Sequence, residues 1–321
     1  MKTRLLPALC CVLLLVSCAD RNSSREVRIR PFPLPEAPGM ITDMLERQEY
    51  LTGHYWDGFF EGEWPTDSAH VLGVADAEVE QNISTFILLL EGQPMDKAQA
   101  DVRRLFDMIE QKQAADTSSL VYLRMTELVS KYLYDPNSPV RSEDYYLPFV
   151  EGMAKSRFTD DARRAGYEFE LRMCRMNPCG SKVPDFGFRD IGGRASTLYA
   201  VDAEYTMLFF SNPGCSYCRD IIDEIESRPY IDALIADGTL AIVNIYIDGE
   251  VDKWKAYAPI YPDNWINAYD YAQVINSDRL YFVRAIPSLY LLDRGKRVIY
   301  RDAPLDRVLR FLDDITDYNN Y

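Results

Sequence analysis

The chain has 321 residues, 47% of them hydrophobic. That is a globular composition and room for about two domains, which excludes a disordered or fibrous protein. With 50 acidic against 35 basic side chains the formal net charge is -15, and no basic stripe exists to follow phosphates, so no nucleic-acid partner is expected. Only two histidines occur, His54 and His70, which argues against a histidine-rich metal site. The seven cysteines hold most of the chemistry.

Residues 1–17 read as a secretory signal: Lys2 and Arg4, then an apolar run from Leu5 to Val16, then a small residue. The run falls short of the roughly 20 residues that span a bilayer. Leu15-Val16-Ser17-Cys18 resembles a bacterial lipobox. The resemblance implies cleavage before Cys18, lipid on that residue, and loss of Cys10 and Cys11 with the leader. Acyl chains then anchor the protein to a membrane. Ala19 rather than Asp follows Cys18, which by the same resemblance disfavours the inner membrane. An exported outer-membrane lipoprotein is expected, on the periplasmic or the surface face, in a compartment that permits disulfides.

Residues 18–38 are polar and then proline-rich (PFPLPEAP). They read as a semi-stiff tether, with packing against the next domain as the alternative. Residues 39–180 read as an all-α domain. Val79, Ile83, Phe86, Ile87 and Leu90 form one apolar stripe; Met95, Ala98, Val102, Leu105, Phe106 and Ile109 a second; Val121, Met125, Leu128, Val129 and Tyr132 a third. Thr159-Asp160-Asp161 opens a further helix with acids where the dipole favours them. The aromatic run from Tyr50 to Phe60 (YLTGHYWDGFF) suits core packing better than a glycan or peptide groove.

Residues 181–321 change character. Tyr205 to Phe210 is a short buried strand; Asn212-Pro213-Gly214 turns; the next helix opens on a cysteine pair. Leu240 to Ile247 is a branched-residue strand. Leu289–Leu292 and Arg297–Tyr300 flank Asp293-Arg294-Gly295-Lys296 as a hairpin, and residues 304–318 form a closing helix. The layout is α/β, a central mixed sheet flanked by helices.

Cys215-Ser216-Tyr217-Cys218 follows the buried strand and opens the helix. A sulfur at that position meets unpaired amide N–H groups and the positive end of the dipole. A thiolate at such a position can have its pKa lowered from about 8.5 to roughly 3.5–7. Cys215 is therefore the candidate nucleophile and Cys218, one turn on, the resolving thiol. A structural disulfide and half of a four-cysteine zinc site are the competing readings. For zinc the other half is Cys174 and Cys179, whose spacing is longer than a usual knuckle. Those two cysteines flank Asn177-Pro178, and a structural disulfide between them is the first reading; a second redox pair and free thiols are the others.

The ordered set of Pro184-Asp185-Phe186, the CSYC pair and Ile286-Pro287 before a strand resembles the thioredoxin superfamily. It is most like its membrane-anchored extracytoplasmic thiol-disulfide oxidoreductases, including those serving cytochrome maturation. The HYWD-type segment resembles the helical amino-terminal domain of unknown role in certain bacterial lipoproteins of this kind. The first resemblance covers residues 183–318 and implies a thioredoxin-like carboxy-terminal domain. It also implies a cis Pro287 facing the cysteines, an Ile286 whose backbone pairs with substrate, and Tyr217 at the substrate surface. Thioredoxins bury an acid where this chain has Phe209, so Asp220, Asp223 and Glu224 become candidates for proton transfer, though solvated helix residues are the commoner reading. An insert holding Trp254, Tyr257, Tyr261, Trp265, Tyr269 and Tyr271 either shapes a substrate groove or packs as a cover.

The expected activity is thiol–disulfide exchange on protein disulfides, as reductase or isomerase rather than oxidase. It needs no cofactor beyond the Cys215–Cys218 pair and is fed by a membrane electron-donor protein. The rival reading is a lipid-anchored peptide- or glycan-binding protein in which that pair is a structural staple. A peroxidase of the related peroxiredoxin type is a weaker third, because of the paired cysteine.

Overall fold

The structure, a computed structural model, describes residues 28–319. The signal, Cys18 and the start of the tether lie outside the described residues.

The amino-terminal half is helical. Asp43 caps α1 (Met44–Gly53) by accepting from the N–H groups of Leu45 and Glu46. A single turn, α2 (Asp57–Phe60), follows. A two-stranded hairpin, β1 (His70–Val71) and β2 (Val74–Ala75), interrupts the helices. Then come α3 (Asp76–Leu90), α4 (Met95–Ala115), α5 (Val121–Leu133), α6 (Glu143–Lys155) and α7 (Asp161–Cys174). The three apolar stripes read from sequence are the buried faces of α3, α4 and α5. Tyr55, Trp56 and Phe59 are buried in the same core, so the middle of the aromatic run packs the domain.

Residues 28–38 pack against this domain, the alternative to a semi-stiff tether. The Arg30 N–H donates to the Gly73 carbonyl at 2.9 Å, and the Phe32 N–H donates to Glu78 Oε1 at 2.8 Å. The Phe32 ring joins the Trp56 and Phe59 rings at 5.4 and 5.3 Å. Prolines gave no helical period to the segment, and it is held instead by these hydrogen bonds and the Phe32 ring.

Close approach of α6 to α4 depends on Gly152, where a Cβ would lie 2.4 Å from Cδ1 of the buried Phe106. Gly152→Ala is expected to destabilise the protein by about 1–3 kcal/mol through overpacking. Denaturant unfolding measures it; an unchanged midpoint would show that the Phe106 ring moves aside freely.

The carboxy-terminal half is a seven-stranded mixed sheet of order β4-β3-β7-β6-β5-β8-β9. In chain order its elements are β3 (Gly187–Asp190), β4 (Ala195–Thr197), β5 (Tyr205–Phe210), α8 (Ser216–Glu226), α9 (Pro229–Ala236), β6 (Leu240–Tyr246), α10 (Val251–Tyr257), β7 (Ile266–Tyr269), α11 (Val274–Ser277), β8 (Ser288–Asp293), β9 (Val298–Tyr300) and α12 (Leu305–Asn319). β5 is interior, parallel to β6 and antiparallel to β8. Its residues Thr206 to Phe210 are all buried, as a strand covered on both faces requires. One apolar layer joins Met207 and Phe209 to the helices α8, α9 and α12; the other joins Leu208 and Phe210 to Phe186, Phe188 and Tyr281. This is the thioredoxin-like arrangement behind an amino-terminal helical domain.

The aromatic insert is a packed cover. Trp254, Tyr261 and Trp265 are buried in the layer that also holds Cys218, and the segment contributes β7 to the sheet.

Candidate active site

The sequence turns sharply after β5. Gly214 has φ +77°, a left-handed conformation that glycine adopts at least cost. Cys215 then sits at the amino end of α8 as its capping residue, its Sγ accepting from the Cys218 N–H at 3.1 Å. The first turn of α8 carries no acidic side chain, so nothing there opposes a negative charge on that sulfur. Cys215 is half-buried, whereas Cys218 is only 2% exposed, on the face that buries Ile222 and Ile225. The two cysteines stand at disulfide distance, with Cα atoms 5.2 Å apart.

The antiparallel register brings the second loop to the same place. Phe210 pairs with Ser288, so the residues just before β8 lie beside the turn that leads to Cys215. The Ile286–Pro287 peptide bond is cis. Tyr217, 70% exposed, and Ile221 face Ile286 and Pro287 across a groove of about 400 Å³, a volume typical of ligand clefts. Tyr217, Ile286 and Pro287 thus line one groove, and Cys215, Cys218 and Ile286 pack against the same apolar layer, at the carboxyl end of β5. No backbone hydrogen bond engages Ile286 among the described residues.

The far wall of the groove comes from the helical domain. Pro136, Asn137, Pro139 and Arg141, from the α5–α6 loop, line it opposite α8. A buried ionic cluster fixes this arrangement. Arg284, just before the cis peptide, reaches Glu143 at 2.8 Å and Asp302 at 2.8 Å, and its guanidinium lies 4.0 Å from the centroid of the Tyr134 ring. Arg301 reaches Glu143 at 3.2 Å and Asp144 at 3.3 Å. Arg141 lies 3.7 Å from Asp302. Burial pushes the Glu143 carboxyl upward, while the Arg301 and Arg284 guanidiniums pull it back. Sequence reasoning missed this cluster, because its partners lie far apart along the chain, Arg141 and Asp302 by 161 residues. The one local hint was a run of charged residues, Arg141, Glu143 and Asp144, at the head of an otherwise apolar helix.

The expected Cys174–Cys179 disulfide is absent, and both thiols are free. Cys174 ends α7 with its side chain in the helical core. Asn177 at φ 47° then turns the chain toward the sheet. There the Cys179 N–H donates to Asp144 Oδ1 at 3.0 Å, and Cys179 Sγ lies 3.6 Å from the Ile299 carbonyl oxygen. Each thiol faces its own packing partners. Burial pushes both pKa values up, which leaves both protonated at neutral pH and poor as redox relays.

Of the acids considered for proton transfer, Asp223 pairs with Arg219 at 3.0 Å and Glu224 with Arg228 at 2.8 Å. Asp220 is exposed on the groove rim. The Phe209 position is apolar and fully buried. Among the described residues, no group of three or more His, Cys, Asp or Glu stands together as a metal-ligand set.

Comparison with known proteins fits this geometry. The model of a domain of unknown function, DUF5106, matches residues 17–177. A thioredoxin-like protein from Bacteroides caccae is 32% identical over 88% of this chain and 98% of its own, with a TM-score of 0.72. The carboxy-terminal domain of an uncharacterized protein from Bacteroides fragilis is 40% identical over 43% of this chain and 98% of its own, with a TM-score of 0.41. The thioredoxin domain of a thiol-disulfide oxidoreductase from Bacteroides vulgatus is 18% identical over 43% of this chain and 96% of its own, with a TM-score of 0.36. No curated protein matches the chain.

Proposed function

The chain belongs to the thioredoxin-like proteins that carry a DUF5106 amino-terminal domain, and from that premise we propose that it is a thiol-disulfide oxidoreductase acting on protein disulfides outside the cytoplasm. One observation carries the reading: an accessible sulfur at a helix amino terminus, at disulfide distance from a buried partner and beside a cis-proline loop.

In the reductive direction the Cys215 thiolate attacks one sulfur of a client disulfide. The Cys215–client bond forms, the client S–S bond breaks, and the departing thiolate takes a proton from water. Cys218, deprotonated to solvent, then attacks Cys215 Sγ and releases the second client thiol. Two electrons pass to the client, and the pair is left as the Cys215–Cys218 disulfide. A dithiol donor protein at the membrane restores it. With Phe209 in place of a buried acid, the Cys218 proton moves through water. The direction proposed is reductase or isomerase, and Cys18 is proposed as the lipid anchor to the outer membrane.

The test is alkylation rate against pH on the reduced protein. One fast thiol with an apparent pKa well under 8, lost in Cys215→Ser, is expected. Uniformly slow thiols would mean that the pair is a structural staple.

A further inference from the structure

We propose that the helical domain selects the client: its α5–α6 loop is one wall of a groove that receives an extended, apolar and basic polypeptide segment flanking the oxidised cysteine. The inference rests on the thiol–disulfide reading of Cys215 and names what that site acts on.

The wall is rigid. Asp135 Oδ1 accepts from the Asn137 N–H at 2.8 Å, and Ser138 Oγ donates to the Tyr132 carbonyl at 2.6 Å. Arg141 Nε donates to the Asp302 carbonyl at 2.9 Å. Asp302 in turn accepts from Arg284 Nη2 at 2.8 Å and from Ser288 Oγ at 2.9 Å. Those two residues bracket Ala285-Ile286-Pro287. One buried residue, Asp302, thus ties the wall through its backbone carbonyl, and the loop that forms the groove floor through its carboxylate, which preorganises both for a partner.

The lining sets the partner's chemistry. Pro136 and Pro139 line the groove together with Tyr217 and Ile221, and its volume of about 400 Å³ has room for a side chain of a client segment. The unbonded backbone of Ile286 at its base suits an extended chain. Arg141 is the cation of the lining, and its donors already serve Asp302, Ala303 and Ser138 carbonyls. Asp220 and Asp306 are exposed on the groove's rim. Among the described residues neither enters an ion pair. Two unneutralised carboxylates beside an apolar cleft favour a Lys- or Arg-bearing segment and repel an acidic one, as does the net charge of -15. A small symmetrical disulfide, with no flanking chain to lay in the groove, is the control that this selection should leave unaffected.

The test uses the mature full-length chain, a peptide disulfide flanked by Val and Lys, its Val- and Glu-flanked counterpart, and glutathione disulfide. The wild type is expected to favour the Lys peptide over the Glu peptide by about 10-fold in kcat/KM, and Asp220→Asn with Asp306→Asn is expected to bring that preference within about 2-fold. Pro136→Ala with Pro139→Ala is expected to lower the ratio of Lys-peptide to glutathione-disulfide kcat/KM by about 5- to 10-fold. Equal rates for the two peptides in the wild type, or an unaltered ratio in the proline variant, overturns the proposal. Exchange with glutathione disulfide but neither peptide overturns it while leaving the redox reading intact. Exchange with none of the three overturns both.

Discussion

Cys215→Ser is expected to lower kcat/KM for disulfide exchange by on the order of 10³-fold or more, as loss of a covalent nucleophile does. The fold should survive the change. Cys215 caps α8 by accepting from the Cys218 N–H, and a serine hydroxyl is among the best acceptors at that position. Lost turnover with an unchanged helix content therefore isolates the sulfur's chemistry from its structural part. The two cysteines differ in exposure for a reason: the client must reach Cys215, whereas Cys218, 2% exposed, must be sheltered from it and attack only inward. Turnover retained in Cys215→Ser, followed as reduction of a peptide disulfide, would contradict the assignment.

Glu143→Ala is expected to cost about 3–5 kcal/mol of stability, the range for removing one member of a buried ionic group. Glu143 is 2% exposed and touches Arg284 and Arg301. Around it Arg141, Arg284 and Arg301 face Glu143, Asp144 and Asp302, three guanidiniums against three carboxylates. Truncating Glu143 leaves a buried positive charge without its counterpart. Because Arg284 leads into the cis-proline loop, the folded variant should also lose exchange with peptide disulfides. Denaturant unfolding measures the first effect and kcat/KM the second; a loss of less than about 1 kcal/mol would show that the cluster tolerates an unpaired charge.

What was legible in the sequence was local. β5 spans Tyr205–Phe210 as read, because a branched and aromatic run bounded by a turn has few other uses. The β8–β9 hairpin closes through the Asp293 N–H donating to the Arg297 carbonyl at 2.9 Å, with Lys296 at φ 61°. The stripes of α3, α4 and α5 followed the helical period. The cysteine pair and Pro287 are landmarks whose spacing alone carries meaning. The helix α6 escaped notice because Pro148 lies inside it and its first turn holds Glu143 and Asp144, charged residues that ordinarily mark a solvated face. Their burial becomes intelligible only once Arg284 and Arg301 fold against them. β7 was hidden within an aromatic insert, since a four-residue strand with Asn267 at its centre has no alternating signal. Cys174 and Cys179 looked like a pair by spacing, yet α7 turns one thiol inward and Asn177 carries the other to the sheet. The groove wall could not be read at all: nothing in Pro136 to Arg141 specifies contact with a loop that follows so far along the chain.

Mass spectrometry of the Cys218→Ala protein mixed with an oxidised peptide bears most directly on the redox assignment. The expected product is one peptide bound through a dithiol-reversible disulfide to Cys215, with Cys179 unmodified. A protein that stays at its own mass, or that carries the peptide on Cys179, would show that the sulfur at the head of α8 is not the one that meets the client.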